Sequence, residues 1–212
     1  MNGRTRYLRA LTLLEWFALI AQFILQQQNS GTARGESLIR FFTYYTILTN
    51  ILVAVYVTSQ MITIWKGGAG RTQTGFFSKP SVQTAITLHI TVVGLIYNLL
   101  LRQSWVSSGL QAVLHDLLHT AIPLLMIIYW WIWVDTRSLR YGNIPAWLVY
   151  PAIYAIFVMI RGHFSGWYPY PFLDIPTLGN SQVIINCALM IVVFVLFALL
   201  FVILGKRKKS HG

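Results

Sequence analysis

Six apolar blocks, each close to the length at which a helix crosses hydrocarbon, constrain this chain more than any other feature. They run over residues 8–25, 41–65, 82–101, 110–134, 144–160 and 183–204. A helix rising about 1.5 Å per residue needs about 20 residues to traverse about 30 Å of lipid. Composition agrees: of 212 residues, 56% are hydrophobic and only 10% charged, and the apolar ones fall in long blocks instead of short periodic patterns. The expected architecture is all-α, a polytopic membrane protein built as a bundle of six transmembrane helices in one domain spanning residues 1–212.

Charge then orients the bundle. A net charge of +11 invites a nucleic-acid reading, but the basic residues sort by loop. Six spans put both termini and the second and fourth loops on one side. That side collects Arg4, Arg6, Arg9, Lys66, Arg71, Lys79, Arg137, Arg140 and Lys206 to Lys209, while only Arg34, Arg40, Arg102 and Arg161 fall on the other. This is the positive-inside pattern. It places the N- and C-termini in the cytoplasm and accounts for the basicity without nucleic acid. The expected location is the cell membrane, multi-pass, in a bacterium the inner membrane. The first block follows three arginines, as a signal peptide would, yet it contains Glu15 and Gln22 and lacks a small-x-small cleavage pattern. It reads as a retained span. Cys187 is the single cysteine, so neither an intrachain disulfide nor a thiolate metal cluster is available. The stretch KGGAGRTQTG lacks a preceding strand and the Gly-Lys-Ser/Thr ending of a phosphate loop, and reads as a connector.

Alternating direction converts position into depth. Thr43, Thr46 and Asn50 fall in the outer half of the second span, on one face by their i, i+3, i+7 spacing. His115 and His119, at i and i+4, share a face in the outer half of the fourth, and Tyr97 and Asn98 reach that layer from the third. Arg161 and His163 lie just beyond the fifth, followed by SGWYPYPFLDIP with Trp167, Tyr168 and Tyr170. Glu15, near the middle of the first span, reaches a depth similar to His119. A hydrogen bond between the two would fix the imidazole tautomer. Ionisable groups in hydrocarbon cost roughly 2.5–3.5 kcal/mol each on insertion scales and so face the bundle interior or a cavity. Four elements converging on one level mark a site. Ordinary packing explains other polar residues as well: any single span threonine can bond its own helix, His89 reads as a packing residue, and Tyr129 to Trp133 read as an interfacial belt. Pro123 is expected to kink the fourth span one turn below His119.

Three chemistries fit the convergence. In the first, a threonine hydroxyl is activated by a neutral histidine within hydrogen-bond reach: Thr46 with His119, and Arg161, His163 or Asn98 stabilising the oxyanion of an attacked ester. In the second, HDLLH stands in for the HExxH zinc helix, His115 and His119 binding the metal with His163, His89 or Glu15 as third ligand. Asp116, shorter than glutamate, suits that base role less well. In the third there is no enzyme, but a transporter or proton relay through Glu15 and the histidines.

Four stretches also carry a likeness. YYTILTN (Tyr44 to Asn50), IYNLLLR (Ile96 to Arg102), HTAIP beginning at His119, and RGHFSGWYPYPFLD (Arg161 to Asp174) resemble, in order and spacing, a bacterial family of six-span membrane proteins. That family is related to the eukaryotic androgen-induced protein and the androgen-dependent regulator of tissue factor pathway inhibitor. The resemblance implies a membrane threonine hydrolase that cleaves the ester between a fatty acid and a hydroxy fatty acid. It places the nucleophile at Thr46, with Thr43 as the rival three residues earlier. It places the histidine at His119, one residue nearer its proline than in the eukaryotic pattern, which keeps His115 as a lesser candidate. The GWYPYPFLD loop, with Trp167, Tyr168 and Tyr170, would help close the outer mouth of the pocket. Glu15 and Asp116 stand outside that pattern. The combined expectation is a lipid or fatty-acyl ester substrate, Thr46 and His119 as the catalytic pair, Arg161 or His163 orienting the lipid, and no cofactor or metal.

Overall fold

A computed structural model describes residues 2–66, 75–103, 105 and 107–208. Most of the glycine-rich connector, including Arg71, and the tail from Lys209 lie outside the described residues. Six helices are long and apolar enough to cross a membrane, and the described residues contain no strand. The helices are α1 (Gly3–Asn29), a short α2 (Arg34–Phe41), α3 (Tyr45–Trp65), α4 (Pro80–Leu101), α5 (Gly109–Trp133), α6 (Ile144–Ser165) and α7 (Ile175–Arg207). Both chain ends lie at one end of this up-and-down bundle. The opposite end, with α2 and the loop 166–174, is called the far end below.

α4 is the central helix, packed against α3, α5 and α7, while α1 lies against α3 and α5, and α6 mainly against α7. Its threonines make burial affordable. Thr84, Thr87 and Thr91 each donate to the carbonyl four residues back, at 2.8, 2.9 and 2.7 Å, so no hydroxyl is left unpaired in an apolar surrounding. The outside of the bundle is the reverse. Leu13, Phe17 and Ile20 on α1, Ile153, Ile156 and Ile160 on α6, and Ile184, Leu189 and Leu196 on α7 are all exposed. An apolar surface of that extent suits lipid contact and not water.

Three expectations change. The second block does not start a helix at Phe41: the chain breaks at 42–44 and restarts at Tyr45. The break is made locally, since Thr43 N–H and Tyr44 N–H turn back to Arg40 O and Phe41 O, and Thr43 Oγ1 donates to Ile39 O at 2.7 Å. The fifth helix continues past Ile160 to Ser165, where Gly166 at φ 66° supplies the left-handed cap and donates to Gly162 O. Nothing before Gly166 stops it, so Arg161 and His163 are helical. The sixth begins at Ile175 instead of Val183, with a break at Gly179 (φ 77°, ψ 160°) that only glycine adopts cheaply.

The aromatic run also divides. Tyr129 and Trp130 are core residues, not a belt. Arg4 donates to the Tyr129 hydroxyl at 2.9 Å, and Trp130 Nε1 to Thr84 Oγ1 at 2.8 Å. Trp131 and Ile132 remain exposed. Below them, Lys208 Nζ donates to Trp130 O and Val134 O at 3.0 and 2.6 Å, a cation on the carbonyl end of α5.

Candidate functional site

Thr46 stands in the first turn of α3, the turn whose N–H groups have no helical partner. Two tyrosines from other elements supply some. Tyr45 N–H donates to the Tyr154 hydroxyl of α6 at 3.2 Å, and Thr46 N–H to the Tyr170 hydroxyl of the far-end loop at 3.3 Å. Tyr154 in turn donates to Thr43 O at 2.9 Å. Leu48 N–H takes Tyr44 O, which leaves the Ile47 N–H without a hydrogen bond among the described residues. Burial pushes the Tyr170 phenol up to about 12, with the hydrogen bond from the Thr46 amide pulling the other way, so it stays a neutral hydroxyl beside Thr46 across the physiological range.

His119 is presented by a π-turn. Residues Leu117–Ala121 close i to i+5 bonds, Ile122 N–H reaching Leu117 O, and Pro123 explains why. With no N–H at 123, the Leu118 and His119 carbonyls both lose a helical donor. Two asparagines replace it: Asn50 Nδ2 donates to Leu118 O at 3.4 Å, and Asn98 Nδ2 to His119 O at 3.2 Å. Asn98 sits in a second π-turn, Tyr97–Leu101. There is no slack between these turns, because a Cβ on Gly94 would lie 2.9 Å from His119 O and 3.0 Å from Pro123 Cβ.

The imidazole itself is held on two sides. Its Nδ1 is 2.9 Å from His115 O. A carbonyl only accepts, so in the neutral ring Nδ1 carries the proton and Nε2 the lone pair. Tyr97 stacks on the ring with centroids 3.9 Å apart. The Nε2 atom is buried and makes no hydrogen bond among the described residues.

Thr46 lies in the wall between two cavities. One, of about 340 Å³, is enclosed by α3, α4, α6 and α7 and lined by Val92, Ile96, Ala152, Met190 and Phe194 among others, with Cys187 at its edge. The other, of about 300 Å³, opens toward α1 and α5 and is lined by Gln22, Gln26, Gln111, His115 and His119. Each is at the small end of the range for ligand pockets. Tyr44, Trp105 and Tyr170 pack edge and face over this level.

The structure thus brings Thr46, His119, Tyr97 and Tyr170 together, with Asn50 and Asn98 as backbone braces. Other expectations separate from the site. Thr43 is off the helix and spends its hydroxyl on Ile39 O. Arg161 donates to Glu36 at 3.0 Å and lies over the Trp167 ring, which Arg40 also covers. His163 is exposed, and Tyr168 packs over Gly162. None of Thr43, Arg161, His163, Trp167 and Tyr168 lines either cavity described above. Glu15 is fully buried with neither carboxyl oxygen paired, and it does not bond His119, whose Nδ1 is taken by its own helix. His115 bonds Ser107 Oγ and Gln111 Nε2. Among the described residues no three of His, Cys, Asp and Glu gather as metal ligands, and Asp116 is paired with Arg102.

Sequence reasoning named Tyr97 and Tyr170 but missed Tyr154 and, as cavity lining, Gln22, Gln26 and Gln111. His89 has a partner, the Tyr45 hydroxyl at 3.1 Å. Gln22 and Gln26, at i and i+4 on α1, share a face with Glu15, and that spacing in an apolar span was the available signal. Neither the family models, nor the curated proteins, nor the solved structures compared with the chain gave a match.

Proposed function

We propose that the protein hydrolyses a lipid-borne ester within the membrane, Thr46 acting as nucleophile and His119 as base. The observation that carries the reading is the buried Nε2 of His119, without a hydrogen bond among the described residues and with its tautomer set by His115 O, on a residue that lines the same cavity as Thr46. A hydroxyl is a weak nucleophile until a base takes its proton. In the first step Nε2 accepts the Thr46 proton as Oγ1 bonds the ester carbonyl carbon, and the carbonyl oxygen becomes an oxyanion. The unpaired Ile47 N–H, belonging to the residue after the nucleophile and to the positive end of α3, is the donor best placed to stabilise that charge. Arg161 and His163 are not needed for it. Collapse breaks the ester C–O bond, and Nε2 returns the proton to the leaving alkoxide. Water then repeats the sequence on the acyl-threonine, releasing the acid and restoring Thr46.

The pair of cavities supports the same division: acyl chain in the apolar one, alcohol and water in the amide-lined one. The likeness of YYTILTN and HTAIP to the threonine hydrolases points the same way. The reading extends to orientation, with the termini cytoplasmic and the reacting level in the outer half of the cell membrane. A fluorophosphonate probe tests it. Purified protein in detergent should label, with or without chelator; Thr46→Ala and His119→Ala should abolish labelling, and Thr43→Ala should retain it. A folded wild type that stays unlabelled, or labelling that survives in Thr46→Ala, refutes the assignment.

A further inference from the structure

The unequal lining of the two cavities says what the alcohol half of the ester is. We infer that the substrate joins one acyl chain to an uncharged, hydroxyl-bearing alcohol, as in a monoacylglycerol, and not to an alcohol bearing a phosphate or carboxylate. The inference rests on the hydrolase reading, since it assigns a substrate class to that site, and it departs from the resemblance, which implies a hydroxy fatty acid and hence a carboxylate on the alcohol half.

On the acyl side the lining is aliphatic and aromatic. On the other side Gln22, Gln26, Gln111, His115, His119 and Tyr44 face the space, and no Lys, Arg, Asp or Glu among the described residues lines it. The cations of the far end are committed elsewhere. Arg40 and Arg161 share Glu36, Arg102 bonds Asp116 and Asn98, and Arg34 is exposed at the start of α2 and lines neither cavity. A phosphate or carboxylate entering there would lose its water without gaining a counter-charge.

A hydroxyl finds the opposite situation. The three amides are only part-used: Gln111 Nε2 donates to Gln22 Oε1 at 3.0 Å and lies 2.7 Å from His115 Nε2, and Gln26 Nε2 reaches Ser37 O. The Gln22 amide nitrogen and the Gln111 and Gln26 carbonyl oxygens make no hydrogen bond among the described residues. They leave both donors and acceptors for groups that, like alcohols, are both at once. Selectivity follows from the same accounting, because a site built of part-used hydrogen-bonding groups discriminates by what it leaves unpaired.

The test uses the full chain in detergent micelles and four lauroyl esters of equal chain length: monolauroylglycerol, lauroyl lysophosphatidate, lauroyl lactate with its free carboxylate, and para-nitrophenyl laurate as a reporter of hydrolysis alone. Turnover that depends on Thr46 and His119, with kcat/KM for monolauroylglycerol at least about a hundredfold above both anionic esters, is expected. Gln26→Lys, which adds a cation to the amide-lined cavity, should cut that ratio by about tenfold or more. Anionic esters cleaved as well as the glycerol ester, while para-nitrophenyl laurate is cleaved in a Thr46-dependent way, would overturn the inference and leave the hydrolase standing. No cleavage of any of the four, or cleavage that persists in Thr46→Ala, would overturn both.

Discussion

His119 owes its free nitrogen to the His115 carbonyl, which can only accept and so fixes the proton on the other side of the ring. Glu15 has no such arrangement: its carboxyl is fully buried and both oxygens lack partners among the described residues. A buried polar group left unmatched costs about 1–3 kcal/mol, which an apolar replacement of similar shape recovers. Glu15→Leu is therefore expected to raise stability by about that amount, read by thermal unfolding in detergent. A loss instead would mean the carboxyl has a working partner, and proton flux in liposomes would then be the next measurement. Gly94 makes the opposite case. A Cβ there meets backbone, the His119 carbonyl, and the Pro123 ring, and neither yields as a flexible side chain does. Gly94→Ala should cost about 1–3 kcal/mol and displace the imidazole, so probe labelling at Thr46 should fall more steeply than folded protein recovered from a size-exclusion column.

The elements were legible in proportion to how much lipid decides them. Third, fourth and fifth spans start within a few residues of the apolar boundaries, because the cost of polar backbone in hydrocarbon sets those starts. What the apolar pattern does not encode is breakage. The interruption at 42–44 is made by the Thr43 and Tyr44 amides turning back to the carbonyls three residues earlier, the break at 179 by one glycine, and the π-turn at Leu117–Ala121 by hydrogen-bond displacement at Pro123, none of which alters hydropathy. Depth counting, which needs only helix rise, put Thr46 and His119 at one level, and both line the second cavity. It failed for Arg161 and His163, whose helix runs on past the apolar run. Arg161 instead joins α2 to α6 through Glu36, with Trp167 under both guanidiniums. The Arg40 guanidinium bonded to Glu36, helped by Arg161, holds the carboxyl below its ordinary value of 4.5. A carboxyl lowered by folding stabilises above its unfolded value and loses that contribution as pH falls through the folded one. The far-end latch should thus loosen only below pH 4.5, seen as faster hydrogen exchange in the loop 166–174, and Glu36→Gln should make that exchange fast at neutral pH as well.

For the molecule as a whole, charge says which way it lies and geometry does not. Among the described residues, ten of its sixteen Lys and Arg residues sit at or near the end of the bundle that holds both termini, and on the positive-inside pattern we propose that this end is cytoplasmic. Reporter fusions at either terminus should therefore be active only as cytoplasmic reporters, and a cysteine placed at Gly166 in a Cys187→Ser background should react with an impermeant thiol reagent added outside. Inverted results at both sites would turn the bundle over without altering its interior. The candidate site was half visible in the sequence: Thr46 and His119 through depth and Tyr170 through the far-end loop, but not Tyr154 or the glutamines lining the second cavity, which depend on where α1 and α6 pack. The π-turn at Leu117–Ala121 bears also on how such chains are aligned. It takes up one residue without lengthening the helix, so insertions and deletions between the histidine and the proline can be absorbed by a wider or tighter turn. What has to persist between sequences of this architecture is the bearing of the imidazole around the helix axis, and a count of intervening residues is a poor measure of it.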